Sequence, residues 1–375
     1  MRIRTLFAML VLVSFIALPA ITAYADDEIN IFVDGTLLQF DVPPQIIDGR
    51  TMVPMRAIFE ALGAEIEWHQ ETQSIFAAAD EIALMMTVGS ERVHTGDGYF
   101  DMDVPPLIID GRTLVPARFV AQAMGLHVGW VSTNSTVYIG NTTTNFANSR
   151  HLELVNHNHP IADAIDPALL VSAWPTVSVR ARDIMLHEST LAAVSAMFDA
   201  ATQDEIDHIF VSSGYRDFAM QAELYDNAEE DGFVMPPGHS EHHTGFAVDI
   251  LIRDIAMHHI PDFPQGRWMA ANAWRFGLIQ RYPADMEHIT GINFEPWHYR
   301  YVGQIHAWYM RENDMVLEQY IEHIRQTGGF STELNGRIYT VLHQIATENG
   351  LHIPFADNFV VSSDNLGGYI ITMWQ

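Results

Sequence analysis

One stretch of this chain occurs twice. The segment Asp41–Arg56, DVPPQIIDGRTMVPMR, returns 62 positions later as Asp103–Arg118, DVPPLIIDGRTLVPAR. Each copy reads as a strand, an Asp-Gly turn at Asp48-Gly49 or Asp110-Gly111, and a short helix opened by Pro54 or Pro116. Proline suits the first turn of a helix, where its missing N–H has no intrahelical partner. Gly63 and Gly125 stand where a left-handed residue ends a helix. A further strand then runs to Trp68 or Trp130. Such half-units bury their apolar faces on each other, which predicts one small β-rich domain over residues 26–140.

The repeats resemble the copper amine oxidase N-terminal domain. That resemblance does not carry copper binding here. The repeated core has no paired histidines, and His69, His94 and His127 fall at non-equivalent positions. The expected role is structural, with possible cell-wall contact through residues 26–140.

Upstream, Arg2 and Arg4 precede an apolar run from Leu6 to Leu18, and Ala23-Tyr24-Ala25 fits a small-x-small cleavage site. Residues 1–25 therefore read as a signal peptide, and the mature protein as secreted with no transmembrane segment. The chain lacks cysteine, so disulfides and thiolate chemistry are excluded. Any metal must sit on histidine and carboxylate. The formal net charge is −28, and every basic residue is Arg. Nucleic acid, whose phosphates need a basic footprint, is an unsuitable partner. Residues 141–149 read as a polar linker, 150–310 as an α+β domain with a small mixed sheet and helices, and 311–375 as an extension with a helix near Ile338–Glu348. Within the α+β domain, a helix is expected near Leu191–Ala201, a strand near Ile206–Ser212 and a helix near Phe218–Glu229.

Two segments carry the chemistry: Pro237–Ile250, PGHSEHHTGFAVDI, and Glu295–Gly303, EPWHYRYVG. A hydrolytic zinc site needs three protein ligands and one open position for water. It also needs a carboxylate outside the ligand set to take the water's proton. His242 and Asp249 can supply two ligands, with Asp249 on a strand over Phe246–Leu251. His298 can supply the third ligand and Glu295 the base, while Pro296 restricts the backbone near both.

The ordered motifs S-x-H-x(2)-G-x-A-x-D (Ser240, His242, Gly245, Ala247, Asp249) and E-P-W-H (Glu295 to His298) resemble the VanY-type D-alanyl-D-alanine carboxypeptidases. The family's S-G-Y-R-x(4)-Q appears as Ser213 to Arg216 with Gln221, and further signatures stand at Arg281-Tyr282-Pro283 and Ile289-Thr290-Gly291. The resemblance covers residues 154–308. It implies a zinc peptidase with His242, Asp249 and His298 as ligands, Glu295 as base, and Arg216 stabilising the carbonyl oxyanion. It implies substrate contacts from Ser240, Tyr215 and Gln221. His243 stands where the family has Gln, and neither it nor His239 is expected to bind metal. The implied substrates are peptidoglycan stem peptides. Two alternatives stand beside this reading: an L,D-carboxypeptidase acting on tetrapeptide stems, and a catalytically inactive wall-binding protein.

Overall fold

A computed structural model describes residues 29–374, apart from 35, 80–81, 97, 132–134, 141, 144–145, 162, 229–232, 348–349 and 354–357. The signal peptide expected over 1–25 lies outside the described residues. Among the described residues, no helix is long and apolar enough to cross a membrane.

The repeat folds as its pattern predicts. In each copy a hairpin, Gln45–Ile47 with Arg50–Pro54 or Leu107–Ile109 with Arg112–Pro116, turns at the Asp-Gly pair. Short helices follow at Met55–Ala61 and Ala117–Ala123, and Gly63 and Gly125 take φ of +76° and +72°. The hairpins pair edge to edge with Val53 opposite Val115, its own counterpart in the other copy. A local two-fold axis therefore passes between them. The exposed ion pairs obey it too, Arg50 with Asp103 and Arg112 with Asp41. Strands of both copies and both helices enclose one apolar core that includes Ile58, Phe59, Ile75, Val120 and Ile139.

The next unit contains a four-stranded sheet in the order Ile209–Ser213, Ala247–Ile252, Glu295–Tyr301, Leu278–Tyr282. Its ladders are antiparallel, and among the described residues parallel contact is limited to the bridge Val179–Val211. The expected helices are present as Glu188–Gln203, whose buried face includes Leu191, Val194 and Met197, and Phe218–Asp226. Helix Gln304–Glu312 crosses the expected boundary at 310, and helix Leu317–Thr327 follows it. Both pack with Leu152, Leu154 and Val302 in a single core.

The helix expected near Ile338–Glu348 is instead the strand Arg337–Gln344, the second of a four-stranded antiparallel sheet. Asn335 and Gly336 both take positive φ between Leu334 and Arg337, which pair directly. Asn-Gly is the commonest two-residue hairpin turn, and its geometry commits the flanking residues to strands. The sheet is apolar on both faces. Phe330, Val341 and Ile370 face the helices of the peptidase unit. Leu342, Ile371 and Met373 face Val131 and Tyr138 of the repeat domain. Part of the expected linker is also tied down, since Thr142–Thr143 pairs with Leu351–His352. The extension is thus a wedge between the two other units.

Candidate active site

Strand register assembles the site. Asp249 and His298 are direct cross-strand partners, and Ser213 pairs with Asp249 on the other side. Glu295 and His298, three apart on one strand, would regularly face opposite ways. The ladder is irregular here: Gln280 pairs with Tyr299, yet Tyr282 pairs with Glu295. That irregularity, beside Pro296, turns Glu295 Oε2 to within 3.7 Å of His298 Nδ1.

His242 arrives on a single 3-10 turn, Glu241–Thr244, closed by Gly245 at φ +71°. Ser240 Oγ accepts from the His242 backbone N–H at 3.4 Å and so caps this turn. A Cβ on Gly214 would lie 2.4 Å from the Met185 carbonyl oxygen. Gly214→Ala is therefore expected to displace this backbone, whose carbonyl accepts from His242 Nδ1 at 2.6 Å. Metal titration should show weaker binding by roughly 10- to 100-fold, the usual cost of disturbing a ligand's outer partner. Unchanged affinity would remove Gly214 from this role.

One ligating atom each from His242, Asp249 and His298 lie within 4.8 Å of one another, and all three residues are buried. His242 Nε2 has no hydrogen-bond partner among the described residues. Burial, then Arg216, pushes its imidazole down to about 4, leaving a neutral ring with a lone pair at hand. His298 is surrounded differently. Asp249 lies 3.0 Å from its Nδ1, and Glu241 Oε2 lies 3.5 Å from its Nε2. Burial opposes its protonation, but Asp249 and Glu241 lift it to about 9. Asp249 is buried too, yet His242 and His298 hold its carboxyl well below the usual range. The unpartnered His242 Nε2 beside the Asp249 carboxylate is an arrangement a bound cation would satisfy. Two imidazole nitrogens and a carboxylate also form a donor set suited to Zn²⁺.

Burial raises Glu295 to about 8. It is the carboxylate beside the cluster that the ligand set leaves free. The cluster opens into a cavity of about 620 Å³. Trp297 forms part of its wall, with Phe233 stacked on it at 6.2 Å. Arg216 lines the cavity, with Nη2 3.3 Å from Asp249 Oδ2. Gln221, expected to touch substrate, is committed at both ends of its amide: Oε1 accepts from Arg216 at 3.0 Å and Nε2 donates to the Met235 carbonyl. It lines the cavity and also fixes Arg216. Tyr215 does not line the cavity, whereas Ser240 does. Both ring nitrogens of His243 are engaged, one with Gly238 N–H and one with the Arg216 carbonyl, as befits a residue outside the ligand set.

The sequence reading missed Glu241. It is fully buried, with Oε1 2.8 Å from Arg281 Nε and 2.9 Å from Arg300 Nη1, and Arg281 continues to Glu318. Burial works against its charge, yet the two guanidiniums hold its carboxyl far below the ordinary range. Its other oxygen faces His298, so it orients that ring from behind.

A buried nitrogen-and-carboxylate cluster with a free carboxylate beside it, mounted on an antiparallel sheet, defines a metal-dependent hydrolase of the α+β class. The family model for the D-alanyl-D-alanine carboxypeptidases (VanY) matches residues 183–304, and that for the copper amine oxidase N-terminal domain matches 32–139. The chain is 33% identical to a D-alanyl-D-alanine carboxypeptidase of Enterococcus faecium, over 51% of this chain and 62% of that one. It is also 33% identical to the bifunctional D-Ala-D-Ala dipeptidase and carboxypeptidase VanXYC of Enterococcus gallinarum, over 47% of this chain and 96% of the relative. A crystal structure of the D,D-dipeptidase VanXYg with a D-Ala-D-Ala phosphinate analogue aligns with a TM-score of 0.53 at 29% identity, covering 60% of this chain and 94% of that one. The chain belongs to the VanY family of D-alanyl-D-alanine carboxypeptidases.

Proposed function

We propose that this protein is a secreted, zinc-dependent D-alanyl-D-alanine carboxypeptidase that removes the terminal D-alanine from peptidoglycan stem peptides. The observation that carries this reading is the convergence of His242, Asp249, His298 and Glu295 at one cavity. Family membership supports the substrate class. The leader-like pattern of residues 1–25 supports secretion.

His242, Asp249 and His298 would hold the ion. When bound, zinc supplies Lewis acidity and makes water acidic enough to attack near neutral pH. Glu295 takes the attacking water's proton and returns it to the leaving amine, a role suited to a carboxylate whose basicity burial has raised. Arg216, held by Ser213, Gln221 and Asp249, places a fixed cation at the cavity wall to stabilise the carbonyl oxyanion.

Incubation with a pentapeptide ending in D-Ala-D-Ala should release one alanine, read by mass. Chelation should abolish release, and added Zn²⁺ should restore it. An intact pentapeptide beside a trimmed tetrapeptide would assign L,D specificity instead. If neither is cut while the protein sediments with cell-wall sacculi, the inactive wall-binding reading holds.

A further inference from the structure

A second cavity, of about 310 Å³, lies where the peptidase unit meets the C-terminal sheet, and it shares no lining residue with the catalytic cavity. Its walls include His151, His187, Phe246, Tyr301, Tyr339 and Trp374.

The hydrogen bonds around it fix the tautomers of its histidines. Ser149 Oγ donates to the Val361 carbonyl at 2.7 Å, so it accepts from His151 Nδ1–H, also at 2.7 Å. His151 Nε2 is therefore a bare acceptor. It has no hydrogen-bond partner among the described residues, although the residue is only 6% exposed. Burial pushes this imidazole down to about 3, so the lone pair stays free at neutral pH. His187 is set the opposite way. Its Nδ1 accepts from Ser189 N–H at 3.2 Å, which leaves Nε2–H as a donor. His306, the third histidine here, is satisfied at both nitrogens by Tyr320 and Thr372.

The cavity thus offers an acceptor and a donor on two uncharged histidines within an aromatic wall, and the one charged side chain that lines it, Arg337, is itself exposed to solvent. A ligand that donates to the free His151 nitrogen makes a hydrogen bond that the surrounding side chains do not supply. An anion would bring lone pairs against the His151 lone pair. A cation would meet the His187 N–H. A hydroxyl both donates and accepts without charge, and apolar ring faces suit the aromatic side chains. The volume is at the small end of the roughly 300–1,000 Å³ range of ligand sites, enough for one ring.

We propose that this cavity is a second ligand site, which takes a neutral sugar ring through the free nitrogens of His151 and His187. The site is independent of the catalytic reading.

The test is calorimetric titration of the full protein with N-acetylglucosamine and, separately, with inorganic phosphate. The sugar is expected to bind and phosphate not to. His151→Phe and Trp374→Ala should each weaken the sugar by about tenfold or more, from loss of the acceptor or of the wall. Trp374 is only partly buried, so its variant keeps the test decisive where His151→Phe fails to fold. Glu295→Ala should bind the sugar as the parent does, which separates this site from the catalytic one. Absence of sugar binding, preference for phosphate, or equal binding by both cavity variants would each overturn the proposal.

Discussion

Glu295→Ala is expected to lower kcat by about 100- to 10,000-fold while the protein still binds one zinc. The size follows from removing a positioned general base. The retained metal follows from geometry, because the clustered ligating atoms belong to His242, Asp249 and His298 and not to Glu295. Burial is the first cause of this carboxyl's raised basicity, and alanine discards that basicity without cutting a link in the Glu241–Arg281–Arg300 network. Steady-state kinetics on the pentapeptide, with metal analysis of the same sample, reads both quantities. Turnover within a few-fold of the parent would strip Glu295 of its role, and loss of zinc would make it a ligand.

Glu241→Ala should do most of its damage through the fold. It leaves Arg300 without a carboxylate side chain among the described ion pairs, and Arg281 with Glu318 alone. Removing one partner from a buried ion pair costs about 3–5 kcal/mol, because the remaining charge is uncompensated. The same change removes the carboxylate behind His298 Nε2, so zinc affinity should fall by roughly 10- to 100-fold. Chemical denaturation and zinc titration measure the two losses separately. Glu241→Gln, which keeps the shape and loses the charge, should recover part of the affinity if orientation matters. A variant as stable and as tightly metallated as the parent would sink the idea that Glu241 braces the site.

That His242, Asp249, His298 and Glu295 come together was legible because each sits in a short ordered motif. Glu241 stands inside the same motif, one residue before His242, yet a glutamate in a turn reads as solvated. Only packing reveals that Arg281 and Arg300 converge on it. Gln221 was legible as a member of the site, but spacing cannot show that both ends of its amide are engaged. Glu295 and His298 share a side only through a ladder irregularity, which no residue count predicts. The C-terminal helix was misread because the apolar run from Ile338 to Leu342 was weighed without the Asn-Gly turn before it. That sheet buries both faces, so it lacks the polar alternation that marks a half-exposed strand. The second cavity draws on residues from Ser149 to Trp374, a span no local pattern can join.

The strand Tyr369–Trp374 pairs with both Arg337–Gln344 and Phe359–Ser363, and its side chains reach the cores on either side. The ribosome delivers this strand after every segment it touches. During synthesis both larger units are therefore made before it, and the apolar surfaces meant for it face water until it arrives. Both cores stay incomplete until this strand has joined the sheet.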